Sequence, residues 1–136
     1  NGGDIAVRNI SATGTVTGIP VTIQCAASDE TTALTTGTAK LTLRAPSAFT
    51  LTAVRASVTT APTGATIIVD VNESGTSVLS TKLSIDATEK TSTTAATAAV
   101  ISDSAIADDA ELTIDIDQVG STIAGTGLKI TLIGTL

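Results

Sequence analysis

The sequence predicts an all-β protein: a two-sheet antiparallel sandwich with an extended N-terminal arm. Three observations carry this prediction. Thr, Val and Ile are abundant, apolar residues recur with a period of two, and Gly- and Pro-containing turns separate the periodic runs. Branched side chains of this kind are stiff and pack well on a pleated sheet. About eight strands at such spacing suit a jelly roll, with an immunoglobulin-like sandwich as the alternative.

The chain divides into an arm at residues 1–19 and a sandwich domain at residues 20–136. The arm is rich in Gly, Ser and Thr, which is typical of an extended segment or linker with at most one short strand near residues 5–7. A segment with so little apolar mass cannot offset the entropy of its own ordering. We therefore expect most of its contacts to be with a partner outside its own chain.

The first two strands of the domain follow from strict alternation. Residues 21–26 form one strand, and Cys25 lies in its apolar phase, which predicts a buried core thiol rather than a reactive one. Residues 39–44 form the next strand, with Leu41 and Leu43 inward.

The third strand contains a change of phase. Phe49 and Leu51 share one phase, whereas Val54 and Val58 share the opposite one. A slip of one residue turns every following side chain to the other face. We therefore predict a β-bulge or strand break at residues 52–53. Phe49, the only aromatic residue, is expected to fill the space between two aliphatic sheets.

A hairpin is predicted next. Residues 66–72 alternate, with Ile68 and Asp70 in the outward phase, and residues 72–75 have the composition of a turn. Residues 76–80 then return as the hairpin partner.

The rest of the domain is predicted as a series of short elements and two long strands. These are a strand at 83–85, an irregular connection at 88–99, a strand near 100–101, a turn at 107–110, and alternating strands at 112–117 and 128–132. In the first long strand Asp115 and Asp117 point outward, opposite the apolar row.

Charge and hydropathy exclude two classes of partner. The chain carries 13 acidic and 7 basic residues, for a net charge of −6. Nucleic-acid binding needs a basic surface that displaces phosphate counterions, so we expect none. No apolar run approaches the length of a membrane span, so we expect no membrane partner either.

The inventory of catalytic residue types is short. The chain has no His or Tyr and a single Cys, so the usual triads and His-containing metal sites cannot be built within it. Carboxylates are the remaining candidates: Asp108, Asp109 and Glu111 cluster near a turn, and Asp115 and Asp117 share a strand face. We predict a non-enzyme without catalytic, cofactor-binding or metal residues, with a structural Ca²⁺ at these carboxylates as the alternative.

Four blocks carry a resemblance to a known family. They are FTLTAVRASV at residues 49–58, APTGA at 61–65, IVDVN at 68–72 and LTIDIDQVG at 112–120. In this order and spacing, the chain from about Cys25 to Gly134 resembles small domains of structural proteins of tailed bacteriophages. The resemblance implies a jelly-roll-like domain on a phage particle, as capsid decoration or as part of a head or tail fibre. It transfers no catalytic residue.

The leading functional hypothesis is therefore an auxiliary capsid decoration, or cement, protein on the outer surface of the virion. Its expected partners are the major capsid protein or another virion protein and further copies of itself, with a trimer favoured at local three-fold positions. One alternative is a receptor-binding domain of a head or tail fibre that recognises host glycan. Another is a subunit of a cell-surface filament whose arm donates a strand to its neighbour.

Two aliphatic residues predict an association surface. Ile68 and Ile133 lie out of phase with the apolar rows of their strands, where polar residues are expected. If their strands are neighbours, the two side chains form an exposed patch of the kind that marks a contact.

Overall fold

The structure is a computed structural model that describes residues 13–14 and 17–136. Most of the predicted arm therefore lies outside the described residues. Within them the chain has eleven strands and one turn of 3₁₀ helix at Ser92–Thr94, and no helix is long and apolar enough to cross a membrane. The strands are β1 Pro20–Ala26, β2 Gly37–Arg44, β3 Phe49–Ser57, β4 Ile67–Glu73, β5 Thr76–Ser77, β6 Leu79–Thr81, β7 Leu83–Ile85, β8 Val100–Ile101, β9 Ala105–Ile106, β10 Glu111–Gln118 and β11 Lys129–Thr135.

The strands form two main antiparallel sheets and one small ribbon. Sheet A has the order β1-β11-β3-β9, and sheet B has the order β2-β10-β4-β5, with β7 also paired to β4. The ribbon is β6 with β8. Strands of both main sheets contribute to a single hydrophobic core. The all-β prediction is thus confirmed, and the arrangement is consistent with a β-sandwich.

The core is built from the inward rows of the central strands. Ile67, Ile114 and Ile130 are fully buried, and Phe49 is only 5% exposed. The predicted inward rows of β4, β10 and β11 are confirmed, because burial alternates along β10 and β11 as the period of two requires.

The predicted irregularity in the third strand is a β-bulge at Thr52. In the pairing of β3 with β11, Ala53 lies opposite Ile133 but Leu51 lies opposite Gly134, which leaves Thr52 as the extra residue. The Thr52 hydroxyl donates to the carbonyl oxygen of Ile133 at 3.1 Å. The bulge lets the residues on both sides of it point into the same core.

The predicted hairpin forms, but its second arm is divided. Ser74 and Gly75 both have positive φ, 49° and 84°, as the tight turn between β4 and β5 requires. The predicted strand at residues 76–80 then breaks at Val78, which is buried and donates its N–H to the Val71 carbonyl. The chain leaves sheet B there and continues as β6 of the ribbon.

On one side of the molecule, called the open side below, no described strand continues either main sheet. β1 ends sheet A and β2 ends sheet B, and a single connection joins the two strands. Their inward side chains are only half-buried: Val21, Ile23 and Cys25 on β1, and Leu41 and Leu43 on β2. Cys25 points inward as predicted but is not fully buried, because the core ends beside it. Burial raises its pKa.

Candidate interaction surfaces

Charge is distributed unequally between the two sheets. The strands of sheet A contain no Asp or Glu, and Arg55 and Lys129 are their only charged residues. The strands of sheet B contain five carboxylates, on Asp70, Glu73, Glu111, Asp115 and Asp117. Four of these occupy the outward phase, and Glu73 lies at the end of β4. Within the described residues, the acidic side chains therefore lie in sheet B and in the loops.

The outer face of sheet A carries Thr, Ala and Gln side chains and, toward one end, the cations Arg55 and Lys129. Strand register places Thr22, Ile133 and Ala53 side by side across its middle. In the next row the Gln24 side-chain amide donates to the Thr131 hydroxyl at 3.3 Å. Ile133 is half-buried because its smaller neighbours leave its tip accessible. This face offers hydroxyl groups, one large aliphatic side chain and the exposed Arg55, and a partner need not desolvate a strand carboxylate there.

Acidic residues near this sheet are held in the loop that follows β1. Glu30 pairs with Lys129 and accepts a hydrogen bond from the Thr59 hydroxyl, and these contacts lower its pKa. The neighbouring Asp29 accepts the backbone N–H of Thr32 at 2.6 Å, which together with adjacent hydrogen bonds lowers its pKa to about 2. Both carboxylates are engaged by their own chain.

Sheet B carries a buried carboxylate on its outer side. Asp70 is 4% exposed; it accepts the Ser77 hydroxyl at 2.6 Å and the Val71 N–H at 2.9 Å. Lys82 lies 3.1 Å from Asp70 and 2.6 Å from Asp117, so it bridges the two carboxylates. Its pKa is raised, first by the hydrogen bond to Asp117 and then by that to Asp70.

The prediction that Asp70 lies in the outward phase of β4 is confirmed, although its carboxylate is buried. Alternation placed Asp70 on the outward side, where it does lie, but the segment from Ser77 to Lys82 covers it. A period of two distinguishes the faces of a strand and carries no information about what a later segment lays over either face. Nothing in the sequence pattern pointed to Lys82 as its partner.

The remaining carboxylates of sheet B also have partners within the chain. Asp115 accepts the Asn72 side-chain amide at 3.0 Å and the Ala39 N–H at 2.7 Å. Glu111 lies 3.4 Å from Arg44 in an exposed ion pair. These contacts connect β10 to both of its neighbouring strands.

Glu73 has a partner of a different kind, because its carboxylate accepts the Ala107 N–H at 2.8 Å at the start of the turn before β10. All five carboxylates of sheet B are therefore bound by groups of the same chain.

The carboxylates predicted as candidates for chemistry do not assemble into one site. Asp108 and Asp109 are exposed on the turn at residues 107–110, while Glu111 turns toward Arg44. Asp115 and Asp117 share a strand face, but they contact different partners. Among the described residues no group of three or more potential ligands could hold a metal ion.

The predicted patch of Ile68 and Ile133 is wrong. Ile68 lies on β4 in sheet B and Ile133 lies on β11 in sheet A, so the two side chains are on opposite outer faces. Ile68 lies in a groove of about 450 Å³ whose other lining residues include Lys82, Asp86 and Gln118. Strand order, which the sequence pattern did not give, decides this outcome.

No protein-family model, curated protein or solved structure significantly matches the chain.

Proposed function

We propose that the chain is a non-enzymatic structural protein of a bacteriophage virion, an auxiliary capsid decoration or cement protein bound to the outside of the shell. The observation that carries the proposal is the segregation of charge: sheet A has no acidic residue in its strands, whereas sheet B has five. One face is suited to contact another protein, and the other to face water.

The contact with the shell is made by the outer face of sheet A. Thr22, Thr131 and Thr135 offer hydroxyl groups that can donate and accept, and Ile133 provides an apolar contact near the centre. The partner is the major capsid protein or another virion protein. Sheet B then faces solvent, where its carboxylates favour solubility at high surface density.

The bonding of the carboxylates supports a structural role over catalysis. General acid–base chemistry needs a carboxyl group that is free to exchange a proton with a substrate. In sheet B, each carboxylate instead accepts hydrogen bonds or pairs with a base of its own chain. Such a network stabilises the sheet and leaves no pair of sheet B carboxylates free for a substrate.

The proposed fold is a jelly roll. In sheet A, the first strand lies beside the last and the last beside the third; in sheet B, β2 lies beside β10 and β10 beside β4. Alternation of early and late strands in two facing sheets is what the wrapping of a long hairpin produces. The short strands β5, β7 and β9 complete the two sheets. We also propose a homo-oligomer, with a trimer at local three-fold positions of the shell.

A glycan-binding fibre domain is the second candidate. The groove beside Ile68, with Lys82, Ser84, Asp86 and Gln118 in its wall, offers polar groups for sugar hydroxyls. Sugar sites usually include an aromatic ring, and the only ring of this chain, Phe49, is buried in the core. Binding of host polysaccharide that is lost in the Gln118→Ala variant would favour this candidate.

Imaging of particles tests the leading proposal. Particles of the phage that encodes the chain are compared by electron cryomicroscopy with particles from which its gene has been deleted. We expect density for one all-β domain at regular positions on the outer shell, present in the first sample and absent from the second. Density confined to a tail or fibre, or no difference between the two shells, would contradict the proposal.

A further inference from the structure

The two edge strands on the open side of the molecule differ in how well they are protected. β2 carries Lys40 and Arg44, its Ala39 has a φ of 47°, and its pairing with β10 contains a register shift. Charges and irregularities of this kind discourage pairing with another chain. β1 has no charged residue, and its seven residues pair with β11 without interruption.

The polar groups along the open edge of β1 can be assigned from its pairing. Leu136 donates its N–H to the Ile19 carbonyl, and Ala27 donates to the Leu128 carbonyl, so odd-numbered residues face β11. In an antiparallel pair, bonding groups alternate between the two edges of a strand. The N–H and C=O groups of Thr22 and Gln24 therefore point to the open edge, where no other described strand pairs with β1.

The apolar row of β1 is also incomplete on this side. Val21, Ile23 and Cys25 are half-buried, whereas Ile130 and Leu132, their neighbours on β11, are 0% and 1% exposed. A strand added beside β1 would cover this row.

We infer that β1 pairs antiparallel with β1 of a second copy of this chain, about a two-fold axis through Ile23. In this register Ile23 meets Ile23 of the second copy, Val21 lies opposite Cys25, and Thr22 lies opposite Gln24. The inward apolar rows of the two copies then run together, and the Thr22 and Gln24 backbones exchange hydrogen bonds. Because β1 is uncharged, no like charges meet across the axis.

The pairing has a geometric consequence. A two-fold axis between antiparallel strands stands perpendicular to the sheet, so the outer faces of both copies of sheet A point the same way. The dimer presents one continuous eight-stranded face, in which each copy contributes the four strands of sheet A. The inference goes beyond the proposed function: it is a two-fold contact of the isolated chain, separate from the trimer proposed on the shell, and it does not depend on where the chain acts.

Disulfide trapping tests the register. In the full-length double variant Ile23→Cys, Cys25→Ser, the two thiols lie in a non-hydrogen-bonded pair, where Cα atoms are about 4.5 Å apart and a disulfide can form. We expect a covalent dimer on mild oxidation. The matched control is Ile133→Cys, Cys25→Ser, which puts an equally half-buried thiol on the outer face of sheet A. Failure of the first variant to cross-link, or equal cross-linking of both, would overturn the inference.

Sedimentation of the same chain tests whether the open edge of β1 forms the dimer contact. Thr22→Pro removes an N–H that faces the open edge while the bonds to β11 remain, whereas Thr22→Val keeps that N–H. We expect a concentration-dependent dimer, twice the 13.4 kDa of the chain, for the parent and Thr22→Val, and at least a tenfold weaker dimer for a folded Thr22→Pro. A parent that stays monomeric at millimolar concentration would overturn the inference.

Discussion

The outer faces of the two sheets are built on the same alternation but differ in what occupies the outward positions. Sheet B places carboxylates there and satisfies them with Lys82, Asn72 and Arg44. Sheet A places Thr, Gln and Ala there, with Ile133 near the centre and Arg55 in the next row. Internal bonding stabilises the first face and leaves it little to offer a partner. Among the described residues the second face has few side-chain contacts within the chain, so its hydroxyl groups remain available.

The comparison also separates stability from function. Residues between the sheets and in the network of Asp70 should matter most for folding. Residues on the outer face of sheet A should matter mainly for binding, because water can replace their few contacts at little cost.

The largest loss of stability is expected for substitution of Phe49, which lies in the core shared by the two sheets. Its ring is 5% exposed and lies against the backbone of β11, so close to Gly134 that a Cβ added there would come within 2.7 Å of it. Phe49→Ala should cost about 3–5 kcal/mol through lost burial and a cavity. Urea denaturation measures this, and a loss under about 1 kcal/mol would show that the ring is peripheral.

Asp70 gives the next largest effect and tests the network of sheet B. Asp70→Ala leaves the Val71 N–H without this partner and takes from the Ser77 hydroxyl its charged acceptor in a buried position, and should cost about 2–3 kcal/mol. Asp117→Ala is the matched control, because Asp117 shares Lys82 but is far more exposed, and it should cost less than about 1 kcal/mol. Equal losses of stability in both variants would contradict the distinction between the buried Asp70 and the more exposed Asp117.

Asp29, in the loop after β1, gives the smallest effect, which is a change in how stability depends on pH. Hydrogen bonds from the backbone of Thr32 and its neighbours lower the pKa of Asp29 from 3.8 to about 2. A carboxyl group whose pKa is lowered on folding stabilises the protein above its ordinary pKa. That contribution disappears as the pH falls from 3.8 toward 2.

Titration followed by nuclear magnetic resonance should give this lowered pKa for Asp29. The variant Asp29→Asn should lose the corresponding part of the pH dependence of unfolding. A measured pKa near 3.8 would mean that the hydrogen bonds of this loop do not persist in solution.

Much of the fold could be predicted because alternation and turn residues act locally. The phase change around Thr52 predicted the bulge, and the isolated ring of Phe49 predicted its burial; both are confirmed. Pairing between distant strands could not be predicted in this way. The sequence itself shows that these strands lack acidic residues. Only the strand order, with β11 between β1 and β3, shows that they form one face.

The same limit explains the one wrong prediction and one feature that alternation could not give. The hypothesis of a patch formed by Ile68 and Ile133 assumed neighbouring strands, and the two residues lie in different sheets. Alternation placed Asp70 correctly in the outward phase but could not predict its burial, because the segment that covers it begins at the chain reversal after β4.

Binding to shells tests most directly the central claim that sheet A is the contact face. Ile133→Lys places a charge at the centre of that face, and Thr113→Lys places the same charge at a half-buried outward position in the middle of sheet B. Both variants should melt close to the parent. Each is mixed with phage particles produced without the chain, and the bound fraction is measured by sedimentation. We predict at least tenfold weaker binding for Ile133→Lys and parent-like binding for Thr113→Lys; the reverse order, or equal binding by both, would contradict the account.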